Sequence, residues 1–94
     1  MQNNPELSVV APVYNEREAI GEVHAAISRV LDGLALSSEI VIVDDGSDDG
    51  TWEVLAELAE ADPRLRAIRL RRNFGQTAAL RAGFDYSRGE IIVS

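Results

Sequence analysis

Four short runs rich in branched apolar residues recur along this 94-residue chain, each separated from the next by a longer amphipathic stretch. The run Ile40-Val41-Ile42-Val43 constrains the fold most, because unbroken β-branched residues suit a strand covered on both faces. Leu7 to Val13 reads as a second strand, closed by the segment Pro12–Asn15. Leu65, Ala67, Ile68 and Leu70 give a less regular one flanked by arginines, and Glu90-Ile91-Ile92-Val93 follows Gly89 as the last. Between the strands, Ile20, Val23, Ile27, Val30, Leu31 and Leu34 recur at helical spacing, with Gly33 and Ser37–Ser38 at the exit. Trp52, Leu55, Leu58 and Ala59 form the inward face of a second helix that Pro63 ends, and Phe74 to Tyr86 is a third, with Ala78, Ala79, Ala82 and Gly83 permitting close packing.

Strand followed by helix three times over, then a final strand, predicts an α/β fold of three layers. A parallel four-stranded sheet lies between helices and is joined by right-handed crossovers. The expected strand order is 3-2-1-4, with the switch point between the first and fourth strands. Residues 1–94 read as one partial domain, because a strand with no helix after it leaves a face uncovered; the expectation is the N-terminal portion of a longer protein.

Composition narrows the function classes. Apolar residues at 46% and charged residues at 27% give a globular balance, which argues against disorder. The formal charge of −7 argues against a nucleic-acid binder, which presents a basic face to phosphates. The chain has no cysteine, so disulfides, thiolate metal sites and cysteine nucleophiles are excluded. The opening Met-Gln-Asn-Asn-Pro-Glu lacks the basic start and apolar centre of a secretory leader, and no apolar run approaches the roughly 20 residues that span a bilayer. The expectation is a cytoplasmic chain without an anchor of its own.

In an open parallel sheet, ligands bind beyond the carboxyl ends of the strands. The loops at that edge are Pro12 to Glu16, Asp44 to Gly50 and Arg71 to Gln76, and the polar residues and glycines concentrate there. In the first loop, Tyr14 offers an aromatic face for a flat ring, and Asn15 and Glu16 offer hydrogen bonds to its edge. The same loop also reads as a helix start, with Asn15 as N-cap and Glu18 completing a capping box. Asp44 and Asp45 follow the buried strand, where a carboxylate can accept an N–H of a nucleobase or a ribose hydroxyl. Asp48 and Asp49 read rather as acids at a helix start. In the third loop Gly75 allows close backbone approach, and Arg71 or Arg72 can face a diphosphate or pair with the acidic loop.

Other assignments fail. The first strand is not followed by G-x-G-x-x-G, and a Walker loop needs a lysine, which the chain does not contain. The same lack of lysine tells against a phosphoacceptor receiver domain. His24 has no partner at metal-ligand spacing and reads as a helix-face residue, and no serine stands in a G-x-S-x-G context.

Taken together, Val9-Val10-Ala11-Pro12-Val13-Tyr14-Asn15-Glu16, then Ile42-Val43-Asp44-Asp45-Gly46-Ser47-Asp48-Asp49-Gly50-Thr51, then Arg72-Asn73-Phe74-Gly75-Gln76 resemble the family 2 glycosyltransferases of GT-A fold. The third block, continuing through Ala78-Ala79-Leu80 to Ala82-Gly83-Phe84, looks most like the polyprenyl-phosphate and dolichyl-phosphate sugar transferases. The resemblance implies a Rossmann-like N-terminal half of a GT-A domain. It places Pro12, Tyr14 and Glu16 around the base of a nucleotide-sugar and Asp45 against that base, with Asp44 and Gly46 shaping the turn. Arg72, Asn73, Gly75 and Gln76 match the loop that closes over the nucleotide.

The resemblance also implies a UDP- or GDP-sugar donor, a lipid phosphate acceptor, and a divalent magnesium or manganese ion for the full-length enzyme. In the family, the ligands of that ion lie in an Asp-x-Asp segment. Ile91-Ile92-Val93-Ser94 looks like the approach to it, so the metal ligands are expected beyond residue 94 and no catalytic or metal-ligating residue is expected within the chain. The chain alone is therefore expected to be inactive, although the parent would be a hexosyltransferase working at the cytoplasmic face of a membrane. The rival reading is a non-catalytic nucleotide-binding or self-assembling α/β module, pairing as a homodimer through an exposed sheet edge.

Overall fold

The computed structural model describes residues 4–94; Met1, Gln2 and Asn3, which open the segment read above for a leader, lie outside the described residues. The elements are β1 (Leu7–Val13), α1 (Ile20–Asp32), β2 (Ser38–Asp44), α2 (Thr51–Ala61), β3 (Leu65–Arg69), α3 (Gln76–Tyr86) and β4 (Ile91–Val93). The strands form one four-stranded sheet in the order β3-β2-β1-β4, with every pair parallel, as the sequence predicts. β1 and β2 run side by side from Leu7 opposite Ser38 to Val13 opposite Asp44.

Alternation along the central strands sends side chains into two cores. Ile40 and Ile42 meet Ile20 and Leu31 of α1 and Leu55 of α2 on one face. Val41 and Val43, with Val10, meet Ala79 of α3 on the other. All four residues of the Ile40–Val43 run are fully buried, each contributing roughly 1.5–3 kcal/mol of apolar burial. The small residues of α3 matter here. A Cβ on Gly83 would overlap the Val10 Cγ1 atom, so only glycine lets this helix lie so close to β1.

The first helix departs from its expected start. Asn15 is not an N-cap: α1 begins at Ile20, the Ala19 cap position makes no side-chain bond, and the Glu16 carbonyl accepts the Ala19 and Ile20 amides at 3.0 and 2.8 Å. Asn15 instead adopts a left-handed backbone, φ 50°. The apolar stripe is also narrower than its periodicity suggests. Ile20 and Leu31 are buried, whereas Val23 and Val30 flank that row on the helix surface and Leu34 lies past the helix end, all exposed. His24 joins α1 to the end of α2, with its Nε2 2.8 Å from Asp62 Oδ2.

At the amino end of the sheet a buried acid organises the entry to β4. Glu39 is only 6% exposed. Its Oε2 accepts the Ser8 hydroxyl and the Arg88 amide, both at 2.6 Å, and Arg66 donates to Oε1 at 3.1 Å. Arg66 also donates to the Tyr86 carbonyl, and the Ser8 hydroxyl accepts the Gly89 amide at 2.8 Å. A Cβ on Gly89 would stand 2.5 Å from Ser8 Oγ, so the turn needs a glycine. Burial pushes the Glu39 carboxyl up, but the Ser8 hydroxyl, the Arg88 amide and the Arg66 guanidinium together hold it below the ordinary glutamate range.

A carboxyl whose pKa is lowered by folding contributes stability that is present above its unfolded pKa and is lost as pH falls through the folded one. Glu39→Gln is therefore expected to lower the unfolding free energy by roughly 1–3 kcal/mol at neutral pH. The gap between the two proteins should close as pH drops below about 4.3, as urea titrations at several pH values will read.

Candidate functional site

The loop after β2 is the centre from which the carboxyl edge is built. Asp44 is fully buried and turns the chain: its Oδ1 accepts the Ser47 amide at 3.1 Å and the Ser47 hydroxyl at 2.5 Å. Ser47 Oγ then accepts the Asn15 amide at 2.8 Å, and Asn15 Oδ1 accepts the Asp48 amide at 3.0 Å. Thr51 Oγ1 accepts the Glu16 amide at 2.9 Å. Asp49 Oδ1 accepts the Thr51 hydroxyl and amide, while its Oδ2 accepts the Arg17 amide at 3.3 Å. The Thr51 hydroxyl is the main cause holding the Asp49 carboxyl below the ordinary aspartate range. Asp49 thus serves the helix start, as expected of it, and also fastens the first loop to the second.

Asp45 fastens the third loop. Its side chain is buried at 3% exposure and points to the α3 side of the sheet. Oδ1 accepts the Phe74 amide at 2.8 Å, and Oδ2 accepts the Gly75 amide at 3.0 Å and the Asn73 side-chain amide at 3.1 Å. Asn73 Nδ2 also lies 3.3 Å from the Asp45 carbonyl. Gly46 makes this approach possible. At φ +75° it takes a backbone conformation that side chains disfavour, and a Cβ there would stand 2.7 Å from Arg72 Cα and closer still to the Arg72 carbonyl carbon and the Asn73 nitrogen.

The stitched loops form an open cavity of about 340 Å³, lined by Pro12, Val13, Tyr14, Glu16, Asp45, Asn73, Gly75 and Gln76. That volume is at the lower end of small-molecule sites. Pro12, Tyr14, Glu16, Asp45, Asn73, Gly75 and Gln76 are therefore brought together as the sequence grouped them. The other candidates are placed elsewhere. Asp44 lies beneath the cavity rather than on its wall, because β2 directs it to the face opposite Asp45, where its Oδ2 is buried without a hydrogen-bond partner. Gly46 sits under the third loop. Arg72 stacks its guanidinium over the Phe74 ring, 4.3 Å from the centroid, instead of pairing with the acidic loop. Val13, Ser47 and Thr51 acquire roles that the sequence did not assign. Two hydroxyls set among acids in a turn were the available signal. Among the described residues, no three His, Asp or Glu side chains come together as metal ligands, so the divalent ion that the resemblance implies is assigned no residue here.

The family model for glycosyl transferase family 2 matches residues 8–94. The chain belongs to that family. It is 40% identical over 93 residues to an uncharacterized glycosyltransferase, YkcC, of Bacillus subtilis (strain 168), a match covering 99% of this chain and 29% of that protein. It is 39% identical over 90 residues to the undecaprenyl-phosphate 4-deoxy-4-formamido-L-arabinose transferase of Salmonella choleraesuis (strain SC-B67), covering 95% of this chain and 28% of that protein. Among solved structures, the mannosyltransferase PcManGT from Pyrobaculum calidifontis in complex with GDP-Man and Mn2+ superposes with a TM-score of 0.79 at 28% identity, covering 96% of this chain and 26% of that one. The chain thus spans under a third of the length of these relatives. The fold is the α/β arrangement of the GT-A glycosyltransferases.

Two glycines separate crowding from backbone strain. Gly75, at φ +103°, has open space where a Cβ would go, whereas at Gly46 the third loop fills it. Gly75→Ala is expected to cost about 1–3 kcal/mol, and Gly46→Ala roughly 3–5 kcal/mol, by urea unfolding. Only Gly46→Ala should strip hydrogen-exchange protection from the Phe74 and Gly75 amides.

Proposed function

We propose that the cavity binds the nucleoside diphosphate of a sugar donor, and that the chain is the donor-binding part of a longer sugar transferase. One observation carries the reading: Asp45, held by neutral N–H donors, lies in one cavity wall with the Tyr14 ring. Tyr14, 44% exposed, offers a face on which a base stacks. Asp45 accepts an N–H from the edge of that base, which fixes its orientation. Pro12 and Val13 exclude water from one side, and Glu16 is placed to accept a ribose hydroxyl. Gly75 and Gln76 bring the amino end of α3 to the cavity, where its dipole favours a diphosphate.

For the longer protein, the reaction is transfer of a sugar from a UDP- or GDP-sugar to a polyprenyl phosphate. Family membership and the acceptor in the name of the Salmonella relative support this. A divalent ion like the manganese in the Pyrobaculum structure is supplied with ligands outside this chain. The chain by itself binds donor without turning it over. Among the described residues no helix is long and apolar enough to cross a membrane.

Titration of the labelled chain with UDP and GDP, followed by NMR, is expected to move the amides of Tyr14, Glu16, Asp45 and Gly75 with or without manganese. Asp45→Ala should weaken binding at least tenfold. Shifts scattered over the surface, or none for either nucleotide, would reject the reading.

A second reading, pairing of two copies along β4, is favoured by the exposure of Ile91, Ile92 and Val93 on the outer strand of the sheet. Sedimentation equilibrium is then expected to give a dimer that Ile92→Lys converts to monomer; a wild-type monomer at all concentrations rejects pairing.

A further inference from the structure

Resting on the nucleotide reading above, we infer that Asn73 determines which base the cavity accepts, and that it selects uracil over guanine. An ionised carboxylate offers about four lone-pair positions, two on each oxygen. At Asp45, Oδ2 takes the Gly75 amide at 3.0 Å and the Asn73 side-chain amide at 3.1 Å, which fills it. Oδ1 takes the Phe74 amide at 2.8 Å and keeps one position open. Asp45 lines the cavity, and on this inference that position is the acceptor for a bound base.

Uracil presents one ring N–H between two carbonyl groups and needs a single acceptor. Guanine presents its ring N1–H and its exocyclic amino group side by side, and engages a carboxylate through both oxygens at once. With Oδ2 occupied, the second guanine donor meets no acceptor, and a polar hydrogen buried without a partner weakens binding. Asn73 is the variable member of the set, because Phe74 and Gly75 donate from the backbone whereas Asn73 donates from its side chain. The Asp45 carbonyl, 3.3 Å from the same Asn73 nitrogen, holds the amide across the acid. The assignment separates this chain from the Pyrobaculum structural neighbour, which is in complex with GDP-Man.

The test compares UDP with GDP, both metal-free, on the wild-type chain and on Asn73→Ala. The wild type is expected to bind UDP about tenfold more tightly than GDP. Asn73→Ala frees a position on Oδ2 and should bring the ratio to about one, chiefly by tightening GDP. Equal or tighter binding of GDP by the wild type overturns the inference and leaves the nucleotide reading standing. A folded Asn73→Ala that keeps the wild-type ratio overturns the role of Asn73. Binding of neither nucleotide overturns the nucleotide reading, and the inference with it. If Asn73→Ala does not fold, Asn73→Leu, which also lacks the amide donor, takes its place, with the same ratio expected and the same outcome overturning the role of Asn73.

Discussion

The Asp45 carboxylate is the interaction on which the geometry of the carboxyl edge depends. It joins two segments about thirty residues apart in sequence, and it does so through the amides of Phe74 and Gly75 and the side chain of Asn73. Backbone donors in a loop have no ladder to satisfy them, so an acid placed among them both orders the loop and removes the cost of leaving those N–H groups unpaired. Asp44, its neighbour on the opposite face, fixes the turn that aims it, through Ser47. Ser47 and Thr51 extend the same order to the first loop. Three loops that would otherwise move independently become one wall, and a cavity built from loops acquires a fixed shape. Preorganisation of that kind lowers the ordering entropy of binding.

The elements of the fold were legible because their signals are local. A run such as Ile40–Val43 can be satisfied only by burial on both faces, and the parallel order follows from the intervening helices. The position of the site was legible for the same reason, since strand ends and their polar loops can be read along the chain. The start of α1 was not. Asn15 followed by Glu18 has the form of a capping box, yet Asn15 bonds the Asp48 amide across the edge of the sheet. A short polar side chain caps whichever amide the tertiary structure brings nearest, and local spacing does not contain that information. Which of Asp44 and Asp45 lines the cavity was not legible for a related reason. Two adjacent acids at a strand end point to opposite faces, and only the strand's last paired residue, Asp44 opposite Val13, determines which of them meets the cavity.

Of the buried acids near the ends of β2, Glu39 and Asp45 are compensated differently. Glu39 is paired with the Arg66 guanidinium at 3.1 Å in addition to its neutral donors. Its charge is matched inside the protein, so it behaves as a fastening between β1, β2 and the turn into β4. Asp45 has neutral donors only, and among the described residues no cationic side chain lies within 4 Å of it. Neutral donors bring no opposite charge to the carboxylate. One acid is thus paired with a cation within the fold, while the other is met by neutral donors alone and lines the cavity.

The two outer strands differ in a parallel way. β3 presents Arg66 and Arg69, the first bonded to Glu39 and the second lying over the Trp52 ring at 5.5 Å, so that edge is charged and partly covered. Charge on an edge strand opposes pairing with another chain. β4 presents Ile91, Ile92 and Val93, all exposed, beside exposed Val30 of α1. An apolar strand of this kind gains by burial against further polypeptide, while the arginine-bearing edge resists it. The relatives named above are more than three times as long as the segments that match. Of the two edges, the apolar one at β4 gains by cover and the arginine-bearing one at β3 resists it.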